Sequence, residues 1–337
     1  MADAQATATA SAAGVQPPAP VLEVKNLEIR IRGEHGTFTV VSDMNLSVAP
    51  GETLCIVGES GCGKSITALS LLRLLPEAAE IAGGSITIDG EDFLRLDQRH
   101  VEDFRGEKIA MIFQEPLTAL NPVLTIGEQI AEAVRQHRKI SHAEARQHAI
   151  RTLQLVQMPD PARRATQFPH ELSGGMRQRA MIALALACEP RIIVADEPTT
   201  ALDVTVQAQI LALIKDLQDR LGTAQVLITH DLGVVAEVAD KVIVMYAGRR
   251  VEVADVYSLF DNPIHPYTIG LMNAVPHGSA ERLADIPGTV PPLWDLPKGC
   301  AFAPRCSGAS QRCLEEQPPL MEKRPGHWAA CWDHVHV

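Results

Sequence analysis

"GESGCGKS", Gly58 to Ser65, is the stretch that decides the fold of this chain of 337 residues. Its glycines and its Lys-Ser end match the spacing of a phosphate-binding loop, or P-loop. The run "ETLCIVG" before the loop is continuously apolar, as in a fully buried strand, and "KSITALSLLRLL" after it has a helical pattern. Strand, loop and helix in this order are the context that the motif requires, so we predict an α/β fold built around a nucleotide site.

Each position of this loop has a predicted role in binding phosphate. Its glycines let backbone N–H groups turn toward the β-phosphate, and the helix N-terminus adds the positive end of its dipole. We expect Lys64 to reach the β- and γ-phosphates and the Ser65 hydroxyl to bind Mg²⁺. The remaining predicted nucleotide-binding residues are Gly58, Glu59, Ser60, Gly61, Cys62, Gly63 and Ile66.

Two adjacent carboxylates end another buried strand, "RIIVADEP", at Asp196 and Glu197. One acid at such a place can hold Mg²⁺ through water, and the next can polarise an attacking water molecule. Adjacent acids often merely begin a loop, but their pairing with a P-loop favours the functional interpretation. Glu197 therefore makes hydrolysis, and not only binding, the expected activity.

A second anion-binding feature lies in "LSGGMRQRAMIALALA", where Ser173 to Gly175 begin a helix. The exposed N–H groups of such a helix and the Ser173 hydroxyl suit a γ-phosphate. The chain has one lysine-bearing loop. The second feature therefore either closes on the same nucleotide or serves a nucleotide held by another subunit.

The rest of the chain divides by pattern. "VLEVKNLEIRI" and "FTVVSDMNLSVAP" alternate apolar and polar residues, which is typical of antiparallel strands, and "GGSITIDGED" predicts a turn, a strand and a turn. Residues from about 117 to 175 have helical periodicity and predict a helical insertion.

Proline becomes dense after about Asn262, so we expect a separate C-terminal extension over residues 263–337. Residues 1–20 are Ala-rich and end in prolines, as in a disordered arm.

The net charge and the apolar content of the chain indicate which kinds of partner it can bind. The formal net charge of −11 disfavours general nucleic-acid binding, because phosphate contacts supply most non-specific affinity, so no nucleic-acid partner is expected. No secretory signal and no run of about twenty apolar residues are apparent. We therefore expect a soluble chain that reaches a membrane only through a partner.

Together with "DEPTTALD" and "LITHD", these motifs resemble the ATPase subunit of an ATP-binding cassette (ABC) transporter over residues 21–262. The resemblance implies a P-loop NTPase (RecA-like) core with an antiparallel β subdomain and a helical subdomain, and ATP and Mg²⁺ as cofactors. In this family two cassettes pair head to tail, and each signature motif completes the partner's site. The second anion-binding feature is thus expected to serve a neighbour's ATP.

The resemblance also assigns roles position by position. Gln114 in "IFQEP" matches the Q-loop residue, which binds Mg²⁺ with Ser65 and Asp196 and senses the membrane partner. Asp203 matches the D-loop residue, and His230 matches the switch histidine, which contacts the γ-phosphate and joins Lys64 and Glu197 as a catalytic residue. Met176 stands where the family usually has Gln. The signature residues are Leu172, Ser173, Gly174, Gly175, Arg177 and Gln178.

An aromatic residue upstream of the P-loop is expected to stack on adenine. Phe38 lies in the right region, and His35 is its rival. Phe38 could equally be a core residue.

The tail narrows the transporter class. "NPIHPYTIGLMNAVP" and "IPGTVPPLWDLPKGCAFAPRC" resemble the C-terminal extension of ATPases from oligopeptide/dipeptide importers. The resemblance implies a peripheral subunit at the cytoplasmic face of the inner membrane that powers di- or oligopeptide uptake. Its implied partners are two transmembrane permeases, a second ATPase, expected to be a paralogue, and an extracytoplasmic solute-binding protein. Nickel, glutathione and other small-solute importers share this tail, and a soluble non-transport ATPase and an exporter are further alternatives.

Four cysteines cluster in the tail: Cys300, Cys306, Cys313 and Cys331. In a reducing compartment, such thiolates favour a metal over disulfides. Zinc usually uses a short Cys-x2–4-Cys knuckle, which is missing, whereas four thiolates on long loops can hold a [4Fe–4S] cluster, as related importer ATPases do. We predict the cluster, with zinc or four unligated thiols as alternatives. His327, His334 and His336 are less favoured alternative ligands.

Overall fold

The computed structural model describes residues 18–34, 36–200, 202–274 and 286–332. Most of the predicted disordered arm, His35, His334 and His336 lie outside these ranges. The strands are β1 (Leu22–Gly33), β2 (Gly36–Val48), β3 (Thr53–Val57), β4 (Ala79–Ile88), β5 (Glu91–Asp92), β6 (Ile109–Ile112), β7 (Ile192–Asp196), β8 (Ala224–Thr229), β9 (Lys241–Tyr246), β10 (Arg249–Asp255), β11 (Met321–Arg324) and β12 (His327–Ala329).

The helices alternate with these strands in the first part of the core and then cluster between β6 and β7. They are α1 (Lys64–Leu71), α2 (Gln98–Glu107), α3 (Pro116–Ala119), α4 (Ile126–His137), α5 (His142–Leu155), α6 (Pro161–Arg164), α7 (Gly174–Leu186), α8 (Val204–Leu221), α9 (Leu232–Val238), α10 (Val256–Asp261), α11 (Pro266–Asn273) and α12 (Gln311–Glu315).

The main sheet has eight strands in the order β11-β12-β10-β9-β3-β8-β7-β6. Strands β9, β3, β8, β7 and β6 pair in parallel, and β3, β7 and β8 are buried at every residue. Continuous Val, Ile and Leu runs produce such strands, because both faces of a parallel sheet are covered. The carboxyl ends of β3, β7 and β8 meet at one edge, so the loops that follow them converge there. This sheet confirms the predicted P-loop core.

A second, antiparallel sheet has the order β2-β1-β4-β5, as the alternating patterns predict. One prediction here is wrong: the Gly-Gly of "GGSITIDGED" lies inside β4 and not in a turn. The register between β1 and β4 shifts beside these glycines, between Lys25 and Glu28. A Cβ on Gly84 would lie 2.6 Å from the Leu27 Cα, so glycine is required where this irregularity brings the two backbones together.

The predicted helical insertion consists of α3 to α6 and leads into α7. Helix α4 begins with a capping box between Thr125 and Glu128, and α5 begins with one between Ser141 and Glu144. In each box the side chains satisfy N–H groups that the helix itself cannot bond. The apolar faces of α4, α5 and α7 pack into one core cluster with the main sheet. The exact domain boundaries remain predictions.

The C-terminal extension continues the main sheet, although the proline-rich sequence suggests a separate unit. Strand β12 pairs antiparallel with β10, with Glu252 opposite Ala329. The buried Glu252 carboxylate accepts backbone hydrogen bonds from Ile264 and His265 and lies 2.6 Å from His327 Nε2. Because the extension is short, a small chain segment of this kind gains stability by docking on β10 and joining the main sheet.

Candidate functional site

The P-loop connects β3 to α1 and holds its lysine tightly. The Lys64 side chain is buried, and its Nζ donates to the carbonyl oxygens of Gly58 at 2.7 Å and Glu59 at 3.0 Å. A Cβ on Gly63, where φ is +104°, would lie 2.9 Å from the Val40 carbonyl oxygen. The loop thus packs directly on β2, and glycine is required at position 63 by the close approach of backbone to backbone.

Ser65 and Asp196 meet at the predicted magnesium position. The Ser65 hydroxyl donates to Asp196 Oδ1 at 3.1 Å, which joins the start of α1 to the end of β7. Burial, above all, raises the pKa of Asp196, while the Ser65 hydrogen bond lowers it and Glu197 raises it. A hydroxyl and a carboxylate are oxygen donors that suit Mg²⁺, whose other ligands are commonly water and substrate phosphates.

The Glu197 carboxylate lies where side chains from three loops come together. Its Oε2 accepts hydrogen bonds from Gln114 Nε2 at 3.2 Å and from Thr200 Oγ1 at 2.9 Å, and its Oε1 lies 3.2 Å from His230 Nδ1. The backbone of Glu197 has φ +44°, which is rare for a residue other than glycine and tends to occur at functional sites. The structure therefore brings together Gln114, Glu197 and His230 as expected, and adds Thr200, which sequence reasoning missed.

The signature residues begin α7. Ser173 is the exposed N-cap of this helix, but its side chain makes no capping hydrogen bond. A Cβ on Gly174 would meet no atom within 4 Å, so the helix N-terminus is open to solvent. Within the described ranges, no hydrogen bond or ion pair joins Leu172–Gly175 to the P-loop.

The other predicted signature and D-loop residues have contacts inside the chain. Arg177 Nε donates to the Leu172 carbonyl at 2.9 Å. Gln178 is buried, and its amide donates to the Pro198 carbonyl, so it links α7 to the loop after β7 and does not face a partner. The Asp203 carboxylate caps α8 by accepting from the Val206 N–H at 3.0 Å.

Phe38 lies on β2 opposite Ile31 and is half-buried. It is two residues from Val40, whose carbonyl oxygen lies next to Gly63 of the P-loop. Its ring centroid is 5.8 Å from that of Trp294, an exposed residue of the C-terminal extension, in an edge-on contact. The sequence offered no signal for this contact.

The four tail cysteines line one small cavity together with Phe302 and Trp332. Burial, above all, raises the pKa of Cys300. His327, an alternative ligand, contacts Glu252 instead. Among the described residues, no group of three or more His, Cys, Asp or Glu has an arrangement that could hold a single metal ion. The structure thus brings the predicted thiols to one place, and the cluster itself remains a prediction.

Two residues of the extension reach the P-loop and were missed by sequence reasoning. The Tyr267 hydroxyl accepts a hydrogen bond from the Glu59 N–H at 2.8 Å, and Arg305 forms an ion pair with the Glu59 carboxylate. None of the helices in the described part of the chain is both long enough and apolar enough to span a bilayer.

Comparison with known proteins agrees with this geometry. Residues 41–200 match the family model "ABC transporter", and residues 251–313 match "Oligopeptide/dipeptide transporter, C-terminal region". A "Probable peptide ABC transporter ATP-binding protein" of Sinorhizobium fredii is 56% identical over 316 residues, which cover 93% of this chain and 94% of that protein. The oligopeptide transport ATP-binding protein OppD of Escherichia coli K12 is 49% identical, over 98% of this chain and 97% of its own length.

The fold also matches solved structures. The dimeric post-hydrolysis state of the ATP-binding cassette MJ0796 bound to ADP and Pi has a TM-score of 0.63 and 30% identity to this chain, and the match covers 70% of this chain and 98% of that one. The region that matches the C-terminal family model includes Tyr267 and Arg305, the two residues that contact Glu59.

Proposed function

This chain belongs to the ABC transporter ATPase family, and from that premise we propose that it powers the uptake of di- or oligopeptides. As a member of the family it binds and hydrolyses ATP. The observation that supports the peptide proposal is the match of residues 251–313 to the oligopeptide-type C-terminal region, in the same chain as the residues of an ATP site. Relatives over almost the whole chain are named for peptide import. Nickel, glutathione or another small solute remains the alternative cargo.

The chemistry divides among the residues of the site. Lys64 would contact the β- and γ-phosphates, and the carboxylate of Glu197 would accept a proton from the attacking water. Ser65, Asp196 and Gln114 would hold Mg²⁺, which when bound would supply positive charge against the phosphates. The ring of His230 lies beside Glu197. It would also contact the γ-phosphate, so His230 would lie between the general base and the phosphate that is cleaved.

Hydrolysis in this proposal needs two cassettes facing each other. The Ser173 hydroxyl and the N–H groups at the start of α7 are exposed and lie on a different element from the P-loop. They suit the phosphate of an ATP molecule held by a second ATPase subunit, which we propose to be a paralogue. The similar cassette MJ0796 is described as dimeric, which supports this arrangement.

We further propose a peripheral location at the cytoplasmic face of the inner membrane, with two permeases and an extracytoplasmic solute-binding protein in the same complex. Leu117 and Val123 follow the Q-loop and expose 56% and 76% of their surface. Exposed apolar residues so close to Gln114 suit a contact with a permease, through which the site could sense the transporter.

The cargo is tested by reconstituting the chain with its permeases and binding protein in vesicles. We expect ATP hydrolysis to rise when di- or oligopeptides are supplied, with peptide accumulating inside. Stimulation by nickel or glutathione, with no response to peptides, would reject the peptide assignment while leaving the ATPase assignment in place.

We also propose that the cysteines of the extension hold a [4Fe–4S] cluster. The support is that Cys300, Cys306, Cys313 and Cys331 line one cavity, as four thiolate ligands of a cluster must. A cluster spans several ions, so its ligands need not approach one point as the ligands of a single zinc ion do. Protein purified without oxygen should contain iron and sulfide and show the visible absorbance of a cluster. A colourless protein containing zinc would contradict this assignment.

A further inference from the structure

Arg305 of the C-terminal extension contacts the P-loop residue Glu59. The Arg305 guanidinium donates to both carboxylate oxygens of Glu59, at 2.7 Å to Oε2 and 3.1 Å to Oε1. Only 4% of the Arg305 side chain is exposed, against 31% for Glu59. A two-point contact between a buried arginine and a carboxylate is strong and directional, because both groups are planar.

Arg305 is itself held in place from several sides. Its Nε donates to the Pro287 carbonyl at 2.9 Å, and another nitrogen donates to the Ile286 carbonyl at 3.3 Å. Its guanidinium also lies 5.9 Å from the centre of the Phe302 ring. The hydrogen bonds to Glu59 raise the pKa of Arg305, and they are the largest cause of that shift. The guanidinium is therefore a fixed positive group, not a mobile surface charge.

Tyr267 adds a second contact to the same residue. Its hydroxyl, buried under the loop, accepts the Glu59 backbone N–H at 2.8 Å, so Glu59 is held by both its backbone and its side chain. Glu59 directly follows the first glycine of the loop, and its carbonyl is one of the two that bind Lys64 Nζ. Displacing Glu59 would therefore move the first half of the loop and the lysine together.

We infer that Arg305 and Tyr267 are positioning residues for ATP: the extension completes the P-loop by fixing Glu59. A loop already held in its binding shape loses less freedom when phosphate binds, so the contact raises affinity. The effect falls on binding and not on bond cleavage, because neither residue touches the reacting atoms. This inference rests on the assignment of the chain as an ATPase, and it gives the extension a role in nucleotide binding.

The test uses Arg305→Lys in the full chain, because lysine keeps the charge but cannot form the two-point contact. We expect the Kd and KM for ATP to rise about tenfold, the size of one lost charge-assisted hydrogen bond, with kcat within about twofold of the parent. Arg324→Ala is the control, since Arg324 is an exposed arginine of the same extension that contacts the Asn262 carbonyl. It should leave Kd, KM and kcat unchanged.

A double-mutant cycle separates positioning from general destabilisation. If Arg305 acts through Glu59, then Glu59→Gln should raise Kd, and the Arg305→Lys, Glu59→Gln double variant should be little worse than either single variant. Additive losses, or unchanged Kd in folded Arg305→Lys protein, would overturn the inference. If Arg305→Lys fails to fold, Tyr267→Phe decides alone: a several-fold rise in Kd with unchanged melting temperature supports it, and unchanged Kd overturns it. A parent protein that does not hydrolyse ATP would instead refute the assigned function.

Discussion

His230 Nδ1 lies 3.2 Å from Glu197 Oε1, and Gln114 approaches the other oxygen of the same carboxylate at 3.2 Å. The three residues follow neighbouring strands of the main sheet: Gln114 follows β6, Glu197 follows β7 and His230 follows β8. The carboxylate is thereby oriented from both sides by side chains of adjacent loops. A general base needs such orientation, because its oxygen must meet the proton of one particular water molecule.

Replacing Glu197 by Gln should stop hydrolysis while ATP still binds. The amide keeps the size and one acceptor oxygen but cannot accept the proton, so we expect kcat to fall by about 10²- to 10⁴-fold. Phosphate release and ATP affinity are the two measurements. Glu237→Gln is the matched control, since Glu237 is exposed on α9. Undiminished turnover in Glu197→Gln protein would remove Glu197 from the role of base.

Arginine at Ser173 should block dimerisation and leave monomer binding intact. The arginine side chain would fill the open start of α7, where the phosphate of the partner's ATP is expected. Ser173 lies on a different element from the P-loop, so binding of ATP to the monomer should not change. Sedimentation of Glu197→Gln protein with ATP and the second ATPase subunit should show a dimer that disappears on adding Ser173→Arg. Gln154→Arg places the same charge on an exposed face of α5 and should dimerise normally. Dimers that survive Ser173→Arg would contradict the shared-site arrangement.

Phe38→Ala should weaken binding of ATP but not of inorganic tripolyphosphate. Base stacking on an aromatic ring contributes about 1–3 kcal/mol, so loss of the ring should raise the Kd for ATP about tenfold. Tripolyphosphate has no base and serves as the control ligand in a competition assay. Equal weakening of both ligands would show that Phe38 acts as a packing residue, through contacts such as the one with Trp294.

Acidification should destabilise the protein through His265. Burial lowers the pKa of this histidine from its ordinary 6.5 to about 4, although Glu252 partly opposes that shift. Between pH 6.5 and 4 the unfolded state binds the proton and the folded state does not. The stabilising contribution is thus complete above pH 6.5 and is lost as the pH falls, by about 2 kcal/mol at pH 5.

His265→Asn should reduce this pH dependence in denaturant unfolding between pH 7 and pH 5. Asparagine can still accept the Tyr267 N–H, which His265 Nδ1 accepts at 3.1 Å as the N-cap of α11. His100→Asn is the control with the opposite sign: its hydrogen bond to Asp97 raises the pKa of His100, so its contribution is lost as the pH rises. An unchanged acid slope in His265→Asn protein would mean that His265 is already protonated in the fold.

Local patterns were enough to predict the centre of the molecule. A buried strand, a glycine loop and a helix place Lys64 and Ser65, and an acidic strand end places Asp196 and Glu197, because each signal lies within a few residues of the group it positions. The parallel sheet then brings these loops together, as the carboxyl ends of its strands are expected to do.

Long-range contacts explain what the sequence could not reveal. Arg305 and Glu59 are 246 positions apart, and Tyr267 and Glu59 are 208 positions apart, so no periodic pattern connects them. Strand β12 has only three residues, too few for an alternating signal, and it forms because β10 offers an edge. The glycines of β4 predicted a turn because an irregular strand and a turn use the same residue for the same backbone freedom.

The pairing of β12 with β10 also bears on the fate of a shortened protein. In the described chain, β12 pairs with β10 at Glu252 and Val253. A protein truncated before residue 321 would lack β12 and would leave the backbone N–H and C=O groups on this side of β10 without a paired strand. Such an exposed strand margin is a template onto which the same segment of another molecule can add, and repeated addition leads to aggregation. Proteolysis in this tail would therefore lower the amount of soluble enzyme through aggregation, whether or not it also changes the catalytic rate.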